Sequence, residues 1–205
     1  MASLTQPIKQ YEIFQPGHFQ TSKFEIRQNG HTILHTKRKD RFLKSPDVHI
    51  MSPDGTILAA CILLSWSRNQ HLYLGSDPDN ADKSNCTLLD CEGFTAGKYK
   101  FFWQGREYVW IRTHAKEHGA SRWNNKSFKL VGQATGQVLS VFKFNSAMFK
   151  HGRLAEIDYF VELGQQLELM SMAAILGIEL HIVRSQQAGN DVGSIAGNVS
   201  GIVTG

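Results

Sequence analysis

From about residue 23 to residue 160, short apolar or β-branched runs alternate with turn residues, the pattern of half-buried strands rather than of helices. Phe24 and Ile26 alternate with Glu25 and Arg27, and Asn29-Gly30 then offers two residues that tolerate positive φ. Residues 23–36 therefore predict a hairpin with a tight two-residue turn. Residues 48–51 and 56–64 flank Ser52-Pro53-Asp54-Gly55, where proline sets φ and glycine takes the left-handed position, so a second hairpin follows. Further strands are expected at 72–74, 87–90, 98–103, 108–113, 128–131, 138–144 and 154–159, with a reversal at Gln104-Gly105. Consecutive hairpins without intervening helices predict a mainly β, antiparallel sheet, and closure into a barrel would remove its exposed edges.

The segment 161–183 breaks the pattern. Leu167, Leu169, Met170, Met172, Ile175, Leu176 and Ile178 leave no polar face, and a helix that is apolar all round must be buried on all sides. Two arrangements satisfy this: a helix threaded through a barrel, or one laid across a sandwich. Gly164 and Gly177 weaken the helix but allow close backbone approach to a neighbour. The apolar stretch between Glu168 and Glu179 is about half the ~20 residues of a membrane span, so the length predicts no transmembrane helix. After Arg184, glycine recurs every fourth residue from Gly189 to Gly205, while Val192, Ile195, Val199 and Ile202 form an apolar stripe. Because each glycine costs a helix roughly 1 kcal/mol, this tail is expected to be flexible alone and to order only against a partner. The expected organisation is an N-terminal extension at 1–19, a β-domain with its helix at 20–185, and a glycine-periodic tail at 186–205.

Composition narrows the class. Hydrophobic residues make up 41% and charged residues 20% of the 205, which fits a globular domain with a sizeable core. A net charge of +4 admits an anionic partner but lacks the strong basic excess of a dedicated nucleic-acid binder, so none is expected. The start of the chain lacks the basic segment and apolar run of a secretory signal, and three cysteines without close spacing predict reduced thiols. A cytoplasmic location follows, with peripheral membrane or nuclear association as variants.

Phe101-Phe102-Trp103-Gln104-Gly105-Arg106-Glu107-Tyr108-Val109-Trp110, and Ala155-Glu156-Ile157-Asp158-Tyr159 ahead of the apolar helix, resemble the tubby C-terminal-like superfamily. That group includes the tubby proteins, the plant LURP-one-related proteins and the phospholipid scramblases, and the chain is most similar to its fungal tubby-like members of unknown function. The resemblance covers residues 20 to 185. It implies a closed antiparallel barrel of about 12 strands around a central C-terminal helix. It also implies a phosphoinositide-binding role for basic side chains, although it assigns none of the family's own positions to this chain. The scramblase proline-rich region and cysteine cluster are absent.

The densest positive run is Lys37-Arg38-Lys39-Asp40-Arg41-Phe42-Leu43-Lys44, at the end of the first hairpin. Each basic residue beside an anionic bilayer contributes about 1 kcal/mol, so Lys37, Arg38, Lys39, Arg41 and Lys44 are candidate contacts for anionic phospholipid or an acidic protein surface. The run reads equally as a nuclear-import patch or a solvated loop. His114, Glu117 and His118 match the H-x-x-E-H order of zinc peptidases, but Gly119 follows at once and a strand precedes, leaving no helix to bring both imidazoles onto a metal. Asp77 to Asp82 is acidic, yet Ala81 occupies a position where calcium needs a ligand. No catalytic residue, metal or cofactor is expected. The expected function is a non-enzymatic binding module associating peripherally with anionic lipid; the alternatives are an interaction protein acting through barrel surface and tail, or a metal-dependent hydrolase.

Overall fold

The computed structural model describes residues 6–16, 23–39, 47–64, 67–75, 86–93, 97–114, 127–144 and 152–199; the side chains of Lys39 and of residues 186–199 fall outside that description. Twelve strands form one closed barrel: β1 (Lys9–Phe14), β2 (Lys23–Gln28), β3 (His31–Lys39), β4 (Asp47–Met51), β5 (Ile57–Leu63), β6 (Gln70–Leu74), β7 (Cys86–Glu92), β8 (Lys98–Trp103), β9 (Arg106–Arg112), β10 (Phe128–Gly132), β11 (Val138–Phe144) and β12 (Arg153–Tyr159). Each pairs antiparallel with its sequence neighbours, and β1 closes the ring between β12 and β2. A single helix follows, α1 (Gln165–Val199).

The hairpins form where the turn chemistry places them. Asn29 and Gly30 take φ of 51° and 80°, and Gln104 and Gly105 take 48° and 73°, the twisted two-residue turns that suit antiparallel strands. At the 52–56 turn, Gly55 N donates to Ser52 O at 2.9 Å and Thr56 Oγ1 donates to Asp54 Oδ2 at 3.0 Å. Strand alternation then sends one set of side chains inward: Tyr99 opposite Trp110, Phe128 opposite Phe142 and Ile157 beyond it are fully buried.

A twelve-stranded barrel is wider than the eight-stranded kind whose interior side chains alone can fill. Here the helix fills it. Every residue from Leu167 to Leu180 is buried, about four turns covered on all faces, so the helix is central in the barrel rather than laid across a sandwich. Fully burying each large apolar side chain among them contributes roughly 1.5–3 kcal/mol. At Gly177 the helix backbone comes so close to the wall that a Cβ would lie 2.3 Å from both Cys61 Sγ on β5 and Gln70 Oε1 on β6.

Three boundaries differ from those read in the sequence. The barrel begins before residue 20, because β1 carries its own alternation, with Tyr11 and Ile13 facing inward and buried. Gly164 lies ahead of the helix with φ of 78° rather than within it, and the helical backbone runs on to Val199, through much of the glycine-periodic segment. The length argument against a membrane span also fails, since Gln165–Ser185 is long and apolar enough to cross one; most of it is buried inside the barrel instead.

Replacing Gly177 by alanine should gain helix propensity yet destabilise the fold by about 1–3 kcal/mol, because the new methyl displaces a short cysteine side chain with little room to move. Urea unfolding of Gly177→Ala, with and without Cys61→Ala, measures this; the second change should recover part of the loss.

Burial pushes the Cys61 thiol and the phenols of Tyr11, Tyr99 and Tyr159 well above their ordinary values. In the unfolded chain the thiol ionises near 9 and the phenols near 10, so the unfolded state loses these protons first. Stability should therefore be complete below about pH 9 and fall as pH rises beyond it, each group adding up to about 1.4 kcal/mol per pH unit to the slope. Urea midpoints at pH 8, 9.5 and 11 check this.

Candidate functional site

Up-and-down topology gives the barrel two unlike mouths. The connections 29–30, 52–56, 75–85, 104–105 and 133–137, with 160–164 leading into the helix, join strands at the mouth where the helix enters. The connections 15–22, 40–46, 64–69, 93–97, 113–127 and 145–152 join them at the mouth where the helix leaves. Mostly tight turns therefore gather at one end and longer loops, where binding residues concentrate, at the other. Their charges differ too. By sequence, the stretches linking strands at the exit mouth hold seven Lys and Arg against two acids, all but Arg68 of these nine lying outside the described residues, whereas those linking strands at the opposite mouth hold one Lys against five acids.

At the mouth where the helix enters, Glu168 in its first turn is buried. Lys9 Nζ donates to Glu168 Oε1 at 2.8 Å and Tyr11 Oη donates to Oε2 at 3.0 Å, so β1 supplies both partners. Burial, followed by the Glu168 charge, raises the Tyr11 phenol. Ser171 Oγ donates to the Glu168 carbonyl at 2.8 Å and lies 2.7 Å from Tyr159 Oη. These contacts anchor the helix. Beside them a groove of about 810 Å³ runs between the β8–β9 and β10–β11 turns and Val161 to Leu163.

Near the exit mouth, Glu179 sits roughly three turns beyond Glu168 on a similar face. It is buried and accepts a hydrogen bond from Arg38 Nη2 on β3. The Arg38 guanidinium also covers the Phe24 ring, 4.4 Å from its centroid. This ion pair lines a cavity of about 250 Å³ whose other walls are apolar apart from Gln15: Ile13, Phe24, Phe142, Phe144, Leu154 and Leu176 among them. Higher in the same mouth His181 is half-buried, and burial followed by the Arg68 charge lowers its pKa.

The structure separates the predicted basic contacts. The run lies on a strand for its first three members, so alternation sends Lys37 outward and Arg38 inward. Lys37 is exposed; Arg38 is held by Glu179 and Phe24. Lys39 closes β3, and Arg41 and Lys44 lie outside the described residues. So do Glu117 and His118, although His114 is described, and among the described residues no group of three or more His, Cys, Asp or Glu gathers where it could hold a metal. Cys61, Cys86 and Cys91 form no disulfide among the described residues. A second polar pair absent from the sequence reading, Asp47 with His49 on β4, is buried on the outward side of the strand, with Nε2 3.1 Å from Oδ2. Sequence reasoning missed the Arg38–Glu179 pair because its partners stand 141 positions apart. The available signal was Glu179 itself, an acid among apolar helix residues, which demands a buried cation.

The barrel with its central helix is similar to a crystal structure of a protein from Arabidopsis thaliana, with a TM-score of 0.54 and 9% sequence identity over 87% of this chain and 98% of that one. At this identity the likeness concerns the fold alone. No family model matches the chain, and no curated protein sequence matches it.

Breaking a buried ion pair leaves one charge uncompensated. Arg38→Met should therefore cost about 2–4 kcal/mol, while Arg38→Met with Glu179→Leu should return to within about 1 kcal/mol of the wild type. Urea unfolding of the singles and the double, read as a double-mutant cycle, gives the coupling.

Proposed function

We propose that the protein is a non-enzymatic, tubby-like binding module that associates peripherally with anionic lipid surfaces through the mouth where its helix leaves the barrel. The observation that carries this reading is the charge asymmetry between the mouths: the long connections on one side are rich in Lys and Arg, and those opposite are acidic. A domain polarised in this way orients itself in the field of an anionic surface before touching it. Lys37, exposed on β3 where that strand reaches the exit mouth, belongs to the basic side. The distant likeness to a plant barrel with the same layout agrees with a tubby-like fold. Arg38 contributes to this surface only indirectly, because it is already paired with Glu179.

Changing Lys37, Lys39, Arg41 and Lys44 together to glutamine, with Arg38 retained, should weaken co-sedimentation with phosphoinositide-containing vesicles by at least tenfold, at about 1 kcal/mol for each charge lost. The melting temperature should hardly move, since exposed charges contribute little to stability. Wild-type binding should itself fade with salt, as the Debye length falls from about 10 Å at 0.1 M to about 3 Å at 1 M. Undiminished vesicle binding by the folded variant would move the contact to another surface, and absence of wild-type binding at low salt would end the lipid reading.

A further inference from the structure

The cavity beneath the exit mouth is a different kind of site from the basic surface around it. Its volume of about 250 Å³ lies between the exit-mouth ends of β1, β2, β3, β11 and β12 and the helix, and its walls are apolar except for Gln15, Arg38 and Glu179. An apolar cavity of about 150 Å³ holds a benzene ring, so this one accommodates about ten non-hydrogen atoms. Concave, mostly apolar sites with a few convergent polar groups are the form that small-molecule sites take.

Two of these three polar residues are charged, Arg38 and Glu179, and this pair defines what can enter. Their charges cancel, so the cavity has no net charge to offer an ionic ligand. A carboxylate head would lie beside Glu179 and an ammonium head beside Arg38, each losing its hydration for a partner already engaged. Yet neither partner is saturated by the described residues. A guanidinium has five N–H donors, and among the described residues Arg38 gives one hydrogen bond, to Glu179 Oε2. Oε1 of Glu179 accepts no hydrogen bond from the described residues. An uncharged head that both donates and accepts completes this arrangement: its oxygen accepts from Arg38 while its O–H donates to Glu179, and the ion pair stays intact.

We propose that this cavity binds one small neutral amphipath, an aliphatic alcohol of about eight carbons, with its chain among Ile13, Phe142, Phe144 and Leu176 and its hydroxyl on the Arg38–Glu179 pair. The site does not depend on membrane association, and its ligand is water-soluble at the concentrations required.

The test uses the full chain at pH 7 with 1-octanol, octanoate and octylammonium as separate probes, without vesicles. Calorimetric titration and methyl-resolved NMR should show saturable 1:1 binding of 1-octanol, with shift changes centred on Leu154, Leu176 and Val183, and at least tenfold weaker binding of both ions. Val183→Trp, which fills the cavity from a half-buried position just beyond the fully buried turns of the helix, should abolish octanol binding while the circular dichroism spectrum stays native; Leu154→Trp, from β12, serves if that variant does not fold. The double variant Arg38→Met with Glu179→Leu should keep the cavity and lose about tenfold in octanol affinity. No saturable octanol binding, octanol shifts centred elsewhere, binding of either ion as tight as that of the alcohol, or undiminished octanol binding by a folded cavity-filled variant would each overturn the proposal.

Discussion

The fold depends on one constraint: a helix with no polar face has to be removed from water around its whole circumference. Two packed sheets cover only opposite faces of a cylinder, whereas a closed barrel covers every face. The number of strands follows from the same requirement, since a ring that leaves room for a helix must be wider than one filled by side chains. Strands and helix each solve the other's problem. Without the helix the twelve-stranded ring would enclose a void lined by Tyr99, Trp110, Phe128 and Ile157, and without the ring the segment Leu167 to Leu180 would have no apolar surroundings.

Apolar burial alone does not determine how far a helix slides or turns inside a cylinder. Three local contacts do. Glu168 is tied to Lys9 and Tyr11 on β1, and Glu179 to Arg38 on β3, two strands that flank β2 on one side of the barrel. Gly177 lies about 200° around the helix from Glu179, and there the backbone touches Cys61 and Gln70 on β5 and β6. Two ion pairs thus hold one face while the missing side chain lets the opposite face close against the wall. Such buried charges are costly as isolated groups, and their contribution here is to select one axial position among several that bury similar apolar area.

Much of this was legible in the sequence where the signal is local. Asn29-Gly30 and Ser52-Pro53-Asp54-Gly55 encode their turns in adjacent residues, and the all-apolar stretch encodes its own burial. Strand β1 was harder to read because its pairing partner, β12, lies at the other end of the barrel, so no hairpin marks it. The basic run shows the same limit on a smaller scale. Read as composition, Lys37 and Arg38 are equivalent; once β3 extends to Lys39, the period of two makes one a surface charge and the other half of an interior pair. The cavity could not be read at all, because its walls come from five strands and the helix.

The same alternation links architecture to recognition. At the exit mouth the exposed Lys37 stands outside a mostly apolar interior whose Arg38–Glu179 pair is neutral as a unit, and the boundary between them runs through consecutive residues of β3. Lys37 belongs to the outside and Arg38 to the inside because an antiparallel strand has no other way to dispose of neighbouring side chains. Long-range attraction and short-range selection therefore act through different groups on one strand. The exposed charges act over a Debye length and respond to salt. The Arg38–Glu179 pair, shielded from water and neutral as a unit, exerts little field beyond the cavity and instead sets what kind of head group can be accommodated there. The proposed anion-attracting surface and the proposed ion-excluding pocket can share one mouth because the helix brings a carboxylate to the inner face of the wall, and that carboxylate is held at its height by the contacts that position the helix.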